Sequence, residues 1–251
     1  MAVYVCSDIH GHEDLYRKML EKIGFSSEDT LYVLGDVIDR GPQSISMLQD
    51  MMKRENVICL LGNHELMMYT YCRISREKDA WLLDCNGGLI TKSEFSQLTI
   101  PKKKAVLDYL ENMYLQVEVQ AEGKKYLLSH SDFLAEMGTL RWKDVDYEDA
   151  FGVVWNSPWR FWEHVPLEKY ASDGKWHIIG HVPVEMAGDQ IRPGRPGEAL
   201  IDEEHHLIDI DLGCARIGRF AEDGKRRGLC CMNLSAYAKG EEDAFLCVSY
   251  D

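Results

Sequence analysis

Six short apolar segments, each followed by polar residues, constrain the fold of this chain more than any other feature. They are rich in Val, Ile and Leu, and most end in Asp, Asn or His beside Gly or Ser. Buried strands whose carboxyl ends open onto a site have this pattern. The sequence therefore predicts a sheet with a site along one edge. The segments lie at residues 3–8, 31–36, 57–65, 125–130, 176–181 and 207–213.

Amphipathic helices are predicted between the strands. Apolar residues recur every four positions between residues 15 and 23 and stop before Gly24, which suits a helix C-terminus. Pro42 is expected at the first position of a second helix, and a third is expected over residues 101–114. The alternation of strand and helix predicts an α/β fold, with residues 1–251 forming a single domain.

The charge balance limits the partners of the protein. It has 42 acidic and 28 basic side chains, a formal net charge of −14. Binding to nucleic acid or to a membrane surface relies on a basic face, so neither is expected. A substrate that carries phosphate would be repelled unless bound cations reversed the local field, which favours a metal site.

The sequence shows no segment that would place the protein in or across a membrane. No stretch approaches the roughly 20 apolar residues of a membrane span, and the first residues do not resemble a signal peptide. The eight cysteines form no C-x-x-C pair. We therefore predict a cytoplasmic protein with reduced thiols, mostly in the core.

The polar residues at the strand ends combine carboxylate, amide and imidazole groups. This mixture suits Mn, Fe or Zn better than Ca. Hydrolysis of a phosphate ester uses two cations about 3.5–4 Å apart, and Asp36 is well placed to bridge them. The residues are Asp8, His10, Asp36, Asn63, His64, His130 and His181.

The motifs around these residues resemble those of the phosphoprotein phosphatases, within the calcineurin-like metallophosphoesterases. The likeness is greatest to small bacterial and phage serine/threonine phosphatases, the bacteriophage lambda enzyme among them. It implies a two-sheet β-sandwich flanked by α-helices. Six blocks occur in the family's order: SDIHG (7–11), GDVIDRG (35–41), GNHE (62–65), SH (129–130), GH (180–181) and IDIDLG (208–213). AWLLDCNGG (80–88) and VVWN (153–156) are also similar.

The resemblance implies two divalent ions, with Mn expected ahead of Fe or Zn. Asp36 would bridge them, and a metal-bound hydroxide would attack the phosphorus in line. The first ion would be held by Asp8, His10 and Asp36. The second would be held by Asp36, Asn63, His130 and His181.

The resemblance also implies the groups that act on the substrate. His64 would protonate the leaving oxygen, oriented and kept cationic by Asp39. Arg40 would grip the phosphate through its planar guanidinium, and Asn63 would also contact it. Arg160 is the candidate for a second arginine that binds the phosphate.

Taken singly, these residues also have structural interpretations. Asp36 and Asp39 could cap the following helix, and His64 could be a hydrogen-bonded structural histidine. The basic insertion at 214–228 is interpreted as a solvated loop or as a surface that steers an acidic partner. The aromatic residues within 155–162 are interpreted as core packing or as the wall of a groove. Surface or helix-cap positions are expected for His12, His164, His177, His205 and His206.

Together the motifs predict hydrolysis of phosphomonoesters, on a phosphoserine or phosphothreonine protein or a small phosphoester. The alternative is a dinucleoside polyphosphate hydrolase like the symmetrical diadenosine tetraphosphatases, which tend to lack an aspartate at the position of Asp39. A non-catalytic phosphate-binding module is disfavoured because every expected position is filled. The oligomeric state cannot be inferred from the sequence.

Overall fold

A computed structural model of the protein describes residues 1–74, 80–159, 163–187, 197–216 and 227–250. Within these ranges the chain forms two β-sheets and eight α-helices, and no helix is both long and apolar enough to cross a bilayer. The strands are β1 (Val3–Cys6), β2 (Thr30–Val33), β3 (Val57–Cys59), β4 (Tyr114–Ala121), β5 (Lys124–Ser129), β6 (Leu140–Arg141), β7 (Trp176–Ile179), β8 (Leu200–Asp202), β9 (Leu207–Asp209), β10 (Leu229–Asn233) and β11 (Phe245–Val248). The α-helices are α1 (Glu13–Lys22), α2 (Ser44–Met51), α3 (Asn63–Tyr69), α4 (Gly88–Ser96), α5 (Ile100–Glu111), α6 (Tyr147–Trp155), α7 (Glu168–Ala171) and α8 (Leu234–Lys239).

The first sheet has the strand order β11-β10-β1-β2-β3. β1, β2 and β3 are parallel, whereas β10 and β11 are antiparallel to their neighbours. Successive side chains of a strand point to opposite faces. Val5 therefore belongs to the apolar core between the sheets, and Cys6 to the core beneath α1, α2 and α5.

The second sheet has the order β6-β4-β5-β7-β9-β8, with β5, β7 and β9 parallel. Val5 and Leu34 of the first sheet face Leu128 and Ile178 of the second in one buried cluster. The predicted α/β fold of two packed sheets with flanking helices is thus confirmed. In each sheet the parallel strands end on the same side, which brings their carboxyl ends together.

Two predicted boundaries were wrong. The third helix ends at Glu111 instead of continuing to residue 114, because Tyr114 begins β4 and its carbonyl accepts a hydrogen bond from Leu61 N (2.8 Å). The second helix begins at Ser44, two residues after Pro42. The backbone between Pro42 and Ser44 is held in a loop, because Gln43 N donates to Gly11 O (3.0 Å).

Some outlying histidines also differ from the prediction. His177 lies in β7 and is completely buried, where a surface or cap position was expected. Its ring lies 4.2 Å from that of Phe133 and 5.3 Å from that of Tyr170, and Nε2 lies 3.1 Å from an Asp173 oxygen. It is therefore a packed core histidine. His12 occupies the N-cap position of α1, one of the two positions expected for it, although its side chain is buried.

All eight cysteines lie in the described residues, and all are unpaired thiols. Five are buried, including Cys6 and Cys59 within the predicted strands, but Cys85 and Cys247 are exposed. The apolar core is therefore built without disulfide bonds.

Candidate active site

The seven polar residues predicted at the strand ends lie together in the structure. Asp8 follows β1, Asp36 follows β2 and Asn63 follows β3, while His130 and His181 follow β5 and β7 of the other sheet. All seven are buried except His181, which is half-buried. The site thus lies where the carboxyl ends of both sets of parallel strands meet.

Asp36 occupies the centre of this cluster. Its Oδ2 lies 3.4 Å from His10 Nε2 and 3.8 Å from His64 Nε2, and its Oδ1 lies 3.5 Å from His130 Nε2. Two groups of possible metal-binding atoms, each within 4.8 Å of one another, share this carboxylate: His10, Asp36 and His64, and Asp36, His130 and His181. A single carboxylate common to two groups is the arrangement that a bridging ligand requires.

Backbone carbonyls fix the orientation of two histidine rings. His10 Nδ1 donates to Ile38 O (3.0 Å), and His130 Nδ1 donates to Leu34 O (2.7 Å). A neutral imidazole that donates through Nδ1 keeps a lone pair on Nε2. Both Nε2 atoms face Asp36, so both rings present their ligating nitrogen to the cluster.

Asp8 and Asn63 add oxygen atoms to the same cluster. Asp8 Oδ2 accepts hydrogen bonds from Ser7 Oγ and from His181 N (2.9 Å). Its Oδ1 is buried and has no hydrogen-bond partner within the described parts of the chain. One atom of the Asn63 amide lies 3.0 Å from His130 Nε2 and 3.1 Å from His181 Nδ1. It is the oxygen in one orientation of the amide, whereas in the reversed orientation it is the nitrogen, which then also donates to Asp36 Oδ2 (3.1 Å). Buried acceptors that converge in this way would be satisfied by a cation.

The electrostatics agree with this interpretation. Burial, with a further contribution from Asp8, raises the pKa of the Asp36 carboxyl well above its usual range. Burial also lowers the pKa of His10, His130 and His181, which favours the neutral imidazole that binds metals. A cation among these groups would offset the cost of a buried carboxylate. The residues present therefore fit divalent metal ions.

The backbone at the site adopts conformations that are rare for residues other than glycine. Left-handed φ values between 49° and 73° turn the chain sharply after the strands. Each such residue costs about 1–3 kcal/mol, and such strain clusters at functional sites. The residues are Asp8, His10, Asp36, Asp39, Arg40 and His181.

Glu65 holds the Asp36 loop in place, a role that the sequence did not reveal. It is completely buried. Its Oε2 accepts from Asp36 N (2.8 Å) and Gly62 N (3.1 Å), and its Oε1 accepts from Val37 N (2.9 Å) and Ile38 N (3.2 Å). Burial raises the pKa of Glu65 to about 7, while these backbone donors favour its charged form. The only sequence feature that pointed to Glu65 was its position in the GNHE motif.

His64 and Asp39 form a buried pair beside the cluster. His64 Nδ1 lies 2.7 Å from Asp39 Oδ2, which also accepts a hydrogen bond from Trp81 Nε1 (2.8 Å). Asp39 N donates to Ser44 Oγ (2.9 Å) and Thr91 Oγ1 (3.1 Å). The pair is thus fixed by groups from three other elements. Trp81 belongs to the segment AWLLDCNGG, to which the sequence assigned no role.

The pKa shifts of this pair disfavour a fully charged His64 beside a fully charged Asp39. Burial raises the pKa of Asp39 to about 7, and burial together with nearby Arg40 lowers the pKa of His64 well below its usual value. Both directions oppose full charge separation. That Asp39 keeps His64 cationic therefore remains a prediction. His64 Nε2 points toward Asp36 and has no hydrogen-bond partner in the ranges that the structure covers.

Arg40 is half-buried, and its Nη1 lies 3.0 Å from His10 Nε2. Gly87 packs directly against it, because a Cβ at that position would lie 2.9 Å from Arg40 N. The φ of Gly87, +74°, also favours glycine. Arg40, the predicted phosphate-binding arginine, therefore lies at the candidate metal-binding cluster.

Two of the predicted basic features can be followed only in part. Arg160 lies outside the described residues, as do residues 217–226 of the basic insertion at 214–228. Arg227 is almost completely buried and forms an ion pair with Glu185 (3.0 Å), so it is not an exposed group that could steer a substrate. Of the aromatic run, Trp159 is buried and donates to Asp209 (2.7 Å), as expected for packing.

Two solved structures share this fold. A putative diadenosine tetraphosphatase matches 98% of this chain and 92% of its own, with a TM-score of 0.63 and 16% identity. A protein serine/threonine phosphatase from Saccharomyces cerevisiae matches 100% of this chain and 80% of its own, with a TM-score of 0.61 and 12% identity. In this chain the shared fold places oxygen and nitrogen atoms that could bind metal at the ends of the strands.

The sequence profile of the calcineurin-like phosphoesterases matches residues 1–209, and the chain belongs to this family. A symmetrical bis(5'-nucleosyl)-tetraphosphatase from Paracidovorax citrulli is 32% identical over 136 residues, 53% of this chain and 45% of that protein. Serine/threonine-protein phosphatase 1 of Salmonella typhimurium is 28% identical over 193 residues, 74% of this chain and 81% of that protein. The chain spans about half the length of the tetraphosphatases that it matches. The predicted family and hydrolase class are confirmed.

Proposed function

We propose that this metallophosphoesterase hydrolyses dinucleoside polyphosphates, which the sequence analysis treated as the alternative substrate class. Several relatives at 31–34% identity are named as symmetrical bis(5'-nucleosyl)-tetraphosphatases, and one solved structure of the same fold is titled a putative diadenosine tetraphosphatase. The observation that carries the hydrolytic mechanism is the Asp36 carboxylate, which both groups of ligating atoms share.

Two divalent ions bound here would supply Lewis-acid activation of water and of the phosphate oxygens. Asp36 would contact both ions. The partners of Asp36 at the first ion would be Asp8 and His10, and its partners at the second would be Asn63, His130 and His181. Mn as the native ion and the cytoplasm as the location remain predictions.

The side chains next to the ions would handle the substrate. The His64–Asp39 pair holds a proton at the edge of the cluster, and His64 Nε2 would deliver it to the leaving oxygen. Arg40 would bind the phosphate through its guanidinium, with Asn63 alongside. No nucleophilic serine or cysteine is needed in this scheme.

The hydrolytic activity is tested with p-nitrophenyl phosphate in the presence and absence of a chelator. We expect turnover that EDTA abolishes and that added Mn²⁺, Fe²⁺ or Zn²⁺ restores, because the described residues of the site include no other electrophile of comparable strength. The rate of turnover should rise and fall with the amount of bound metal measured on the same samples. Turnover that persists in metal-free protein would refute the mechanism.

The substrate class is tested by comparing kcat/KM for diadenosine tetraphosphate and for a phosphothreonine peptide. Symmetrical cleavage should yield two molecules of ADP, which chromatography distinguishes from AMP and ATP. The second candidate, a protein phosphatase, is supported by the longer match to the Salmonella enzyme and by Asp39 in the DRG motif. Turnover of the peptide alone would favour that candidate.

A further inference from the structure

Two cysteines face each other on neighbouring strands at the edge of the first sheet. Cys230 of β10 is the register partner of Cys247 of β11, and β11 is the last strand of that sheet. Residues directly opposite each other in an antiparallel pair place their side chains on the same face. The two thiols are therefore neighbours, although the residues are not close in the sequence.

The hydrogen bonds of the ladder show which kind of pair the two cysteines form. Asn233 N donates to Ala244 O (2.8 Å), so this pair, one step beyond the last register pair, is a hydrogen-bonded one. Hydrogen-bonded and non-hydrogen-bonded pairs alternate, which makes Cys230 and Cys247 a non-hydrogen-bonded pair. The Cys247 carbonyl accepts instead from Lys22 Nζ (3.2 Å). The Cα atoms of such a pair lie about 4.5 Å apart, within the range of about 4.4–6.8 Å that a disulfide bond spans.

The two thiols differ in their access to solvent. Cys247 is exposed, whereas Cys230 is buried and belongs to the apolar core between the sheets. An oxidant in solution would therefore meet Cys247 first. Cys6 of β1 and Cys231 of β10 also face each other in the same sheet, but both of these thiols are buried. The sheet thus carries one cysteine pair that an oxidant can reach and one that it cannot.

The surroundings favour the thiolate at the exposed position. A hydrogen bond from the Cys230 thiol and the nearby Lys22 ammonium lower the pKa of Cys247, against an opposing contribution from desolvation. The same hydrogen bond, together with burial, raises the pKa of Cys230 well above its usual range. The thiolate is the form that attacks oxidants. Cys247 is therefore the nucleophile of the pair, and Cys230 keeps its proton.

We propose that hydroperoxides oxidise Cys247 and that Cys230 then closes a reversible disulfide bond across the two strands. In the first step the Cys247 sulfur attacks an oxygen of the hydroperoxide, the O–O bond breaks, and the leaving oxygen takes a proton from solvent. The product is a sulfenic acid. In the second step the Cys230 sulfur attacks the Cys247 sulfur, the S–O bond breaks, and hydroxide leaves with the Cys230 proton as water. The two sulfurs lose two electrons in total, which the hydroperoxide gains.

This inference does not depend on which phosphoester the protein hydrolyses. Neither thiol belongs to the groups of possible ligating atoms found among the described residues, so the thiol pair is separate from the Asp36 cluster. Exposed disulfide bonds are the readily reduced ones. The bond would therefore open again in a reducing compartment such as the predicted cytoplasm, where disulfides are mostly transient.

The test exposes the folded wild-type protein to hydrogen peroxide, alkylates the remaining thiols and maps the peptides by mass spectrometry. We expect two of the eight thiols to be lost, one pair of peptides joined through Cys230 and Cys247, and recovery of both thiols with dithiothreitol. Oxidation at other cysteines while these two remain open to alkylation would overturn the proposal. A dimer joined through Cys247 on a non-reducing gel would also overturn it, because the exposed thiol would then have met a second chain before Cys230.

Cys230→Ser separates the two steps. Without the second thiol the sulfenic acid at Cys247 should persist and be trapped by dimedone, and no disulfide bond should form. The matched control is Cys85→Ser, because Cys85 is also exposed but lies between Leu82 and α4, outside the strands. This variant should form the same disulfide bond at the wild-type rate. Failure to trap a dimedone adduct on Cys247 in Cys230→Ser would refute its role as the thiol that reacts first.

Discussion

The two oxygens of the Asp36 carboxylate face different histidines. Oδ2 faces His10 and His64, whereas Oδ1 faces His130. The same residue connects the two groups of ligating atoms and lies beside the Nε2 atom that would deliver the proton. His64 also belongs to one of the two groups of possible ligating atoms, but in the proposed scheme it acts only as the acid. In that scheme single substitutions would separate metal binding from acid catalysis.

We expect His64→Asn to lower kcat by a factor of about 10² to 10⁴, the usual contribution of a general acid, while the bound metal is retained. Asp36→Asn should lose both the metal and the rate, because a neutral amide cannot bridge two cations. Steady-state kinetics and metal analysis of the same preparations measure this difference. Asp50→Asn, an equivalent change on α2 outside the site, is the control. Full kcat in His64→Asn would exclude its role as the acid.

At the scale of the element, the segment before α4 supports the His64–Asp39 pair. Trp81 donates to Asp39, and Gly87 packs on Arg40. Gly88 lies against Trp81, where any Cβ would collide with the Trp81 carbonyl. One short stretch of chain thus positions both the His64–Asp39 pair and Arg40.

We expect Trp81→Phe to lower kcat by about tenfold, because it removes one hydrogen bond to a buried carboxylate, worth about 1.4 kcal/mol. Trp142→Phe is the matched control, since its Nε1 donates to Leu110 O (2.8 Å) away from the site. Urea denaturation should show similar destabilisation of the two variants, while only Trp81→Phe should lose kcat. Equal kcat values in the two variants would contradict this role.

The sequence was sufficient to predict the residues that converge at the site, because a strand pattern ending in Asp, Asn or His indicates where the chain turns. Glu65 and Trp81 were missed because their roles depend on contacts between distant segments. β4 was missed because polar residues alternate along it, for example Gln116 and Glu118, so it lacks a continuous apolar run. His177 was misplaced because nothing in its sequence context distinguishes a buried histidine from an exposed one.

At the scale of the whole molecule, the two sheets pack through one apolar cluster, and the site lies at the edge where both end. Because ligating atoms come from both sheets, bound metal would join the two layers. A ligand that binds only the folded protein stabilises it in proportion to its affinity and concentration.

We therefore expect a chelator to lower the melting temperature as well as the activity. At a metal concentration of 100 times Kd, the stabilisation is about 2.7 kcal/mol, which corresponds to about 5–10 °C for a protein of this size. Differential scanning calorimetry with EDTA and with excess Mn²⁺ measures the shift. Asp36→Asn should melt at the same temperature in both conditions. A wild type whose melting temperature does not respond to metal would contradict this prediction.

The division of candidate ligands between the sheets would make two bound ions unequal. Asp8, His10 and Asp36 all follow strands of one sheet, so the first ion would be chelated by a single layer. His130 and His181 belong to the other layer, so any movement of one sheet relative to the other would change the positions of the second ion's ligands. Exchange with the medium should accordingly be biphasic, with the second ion leaving sooner and the protein passing through a mononuclear state.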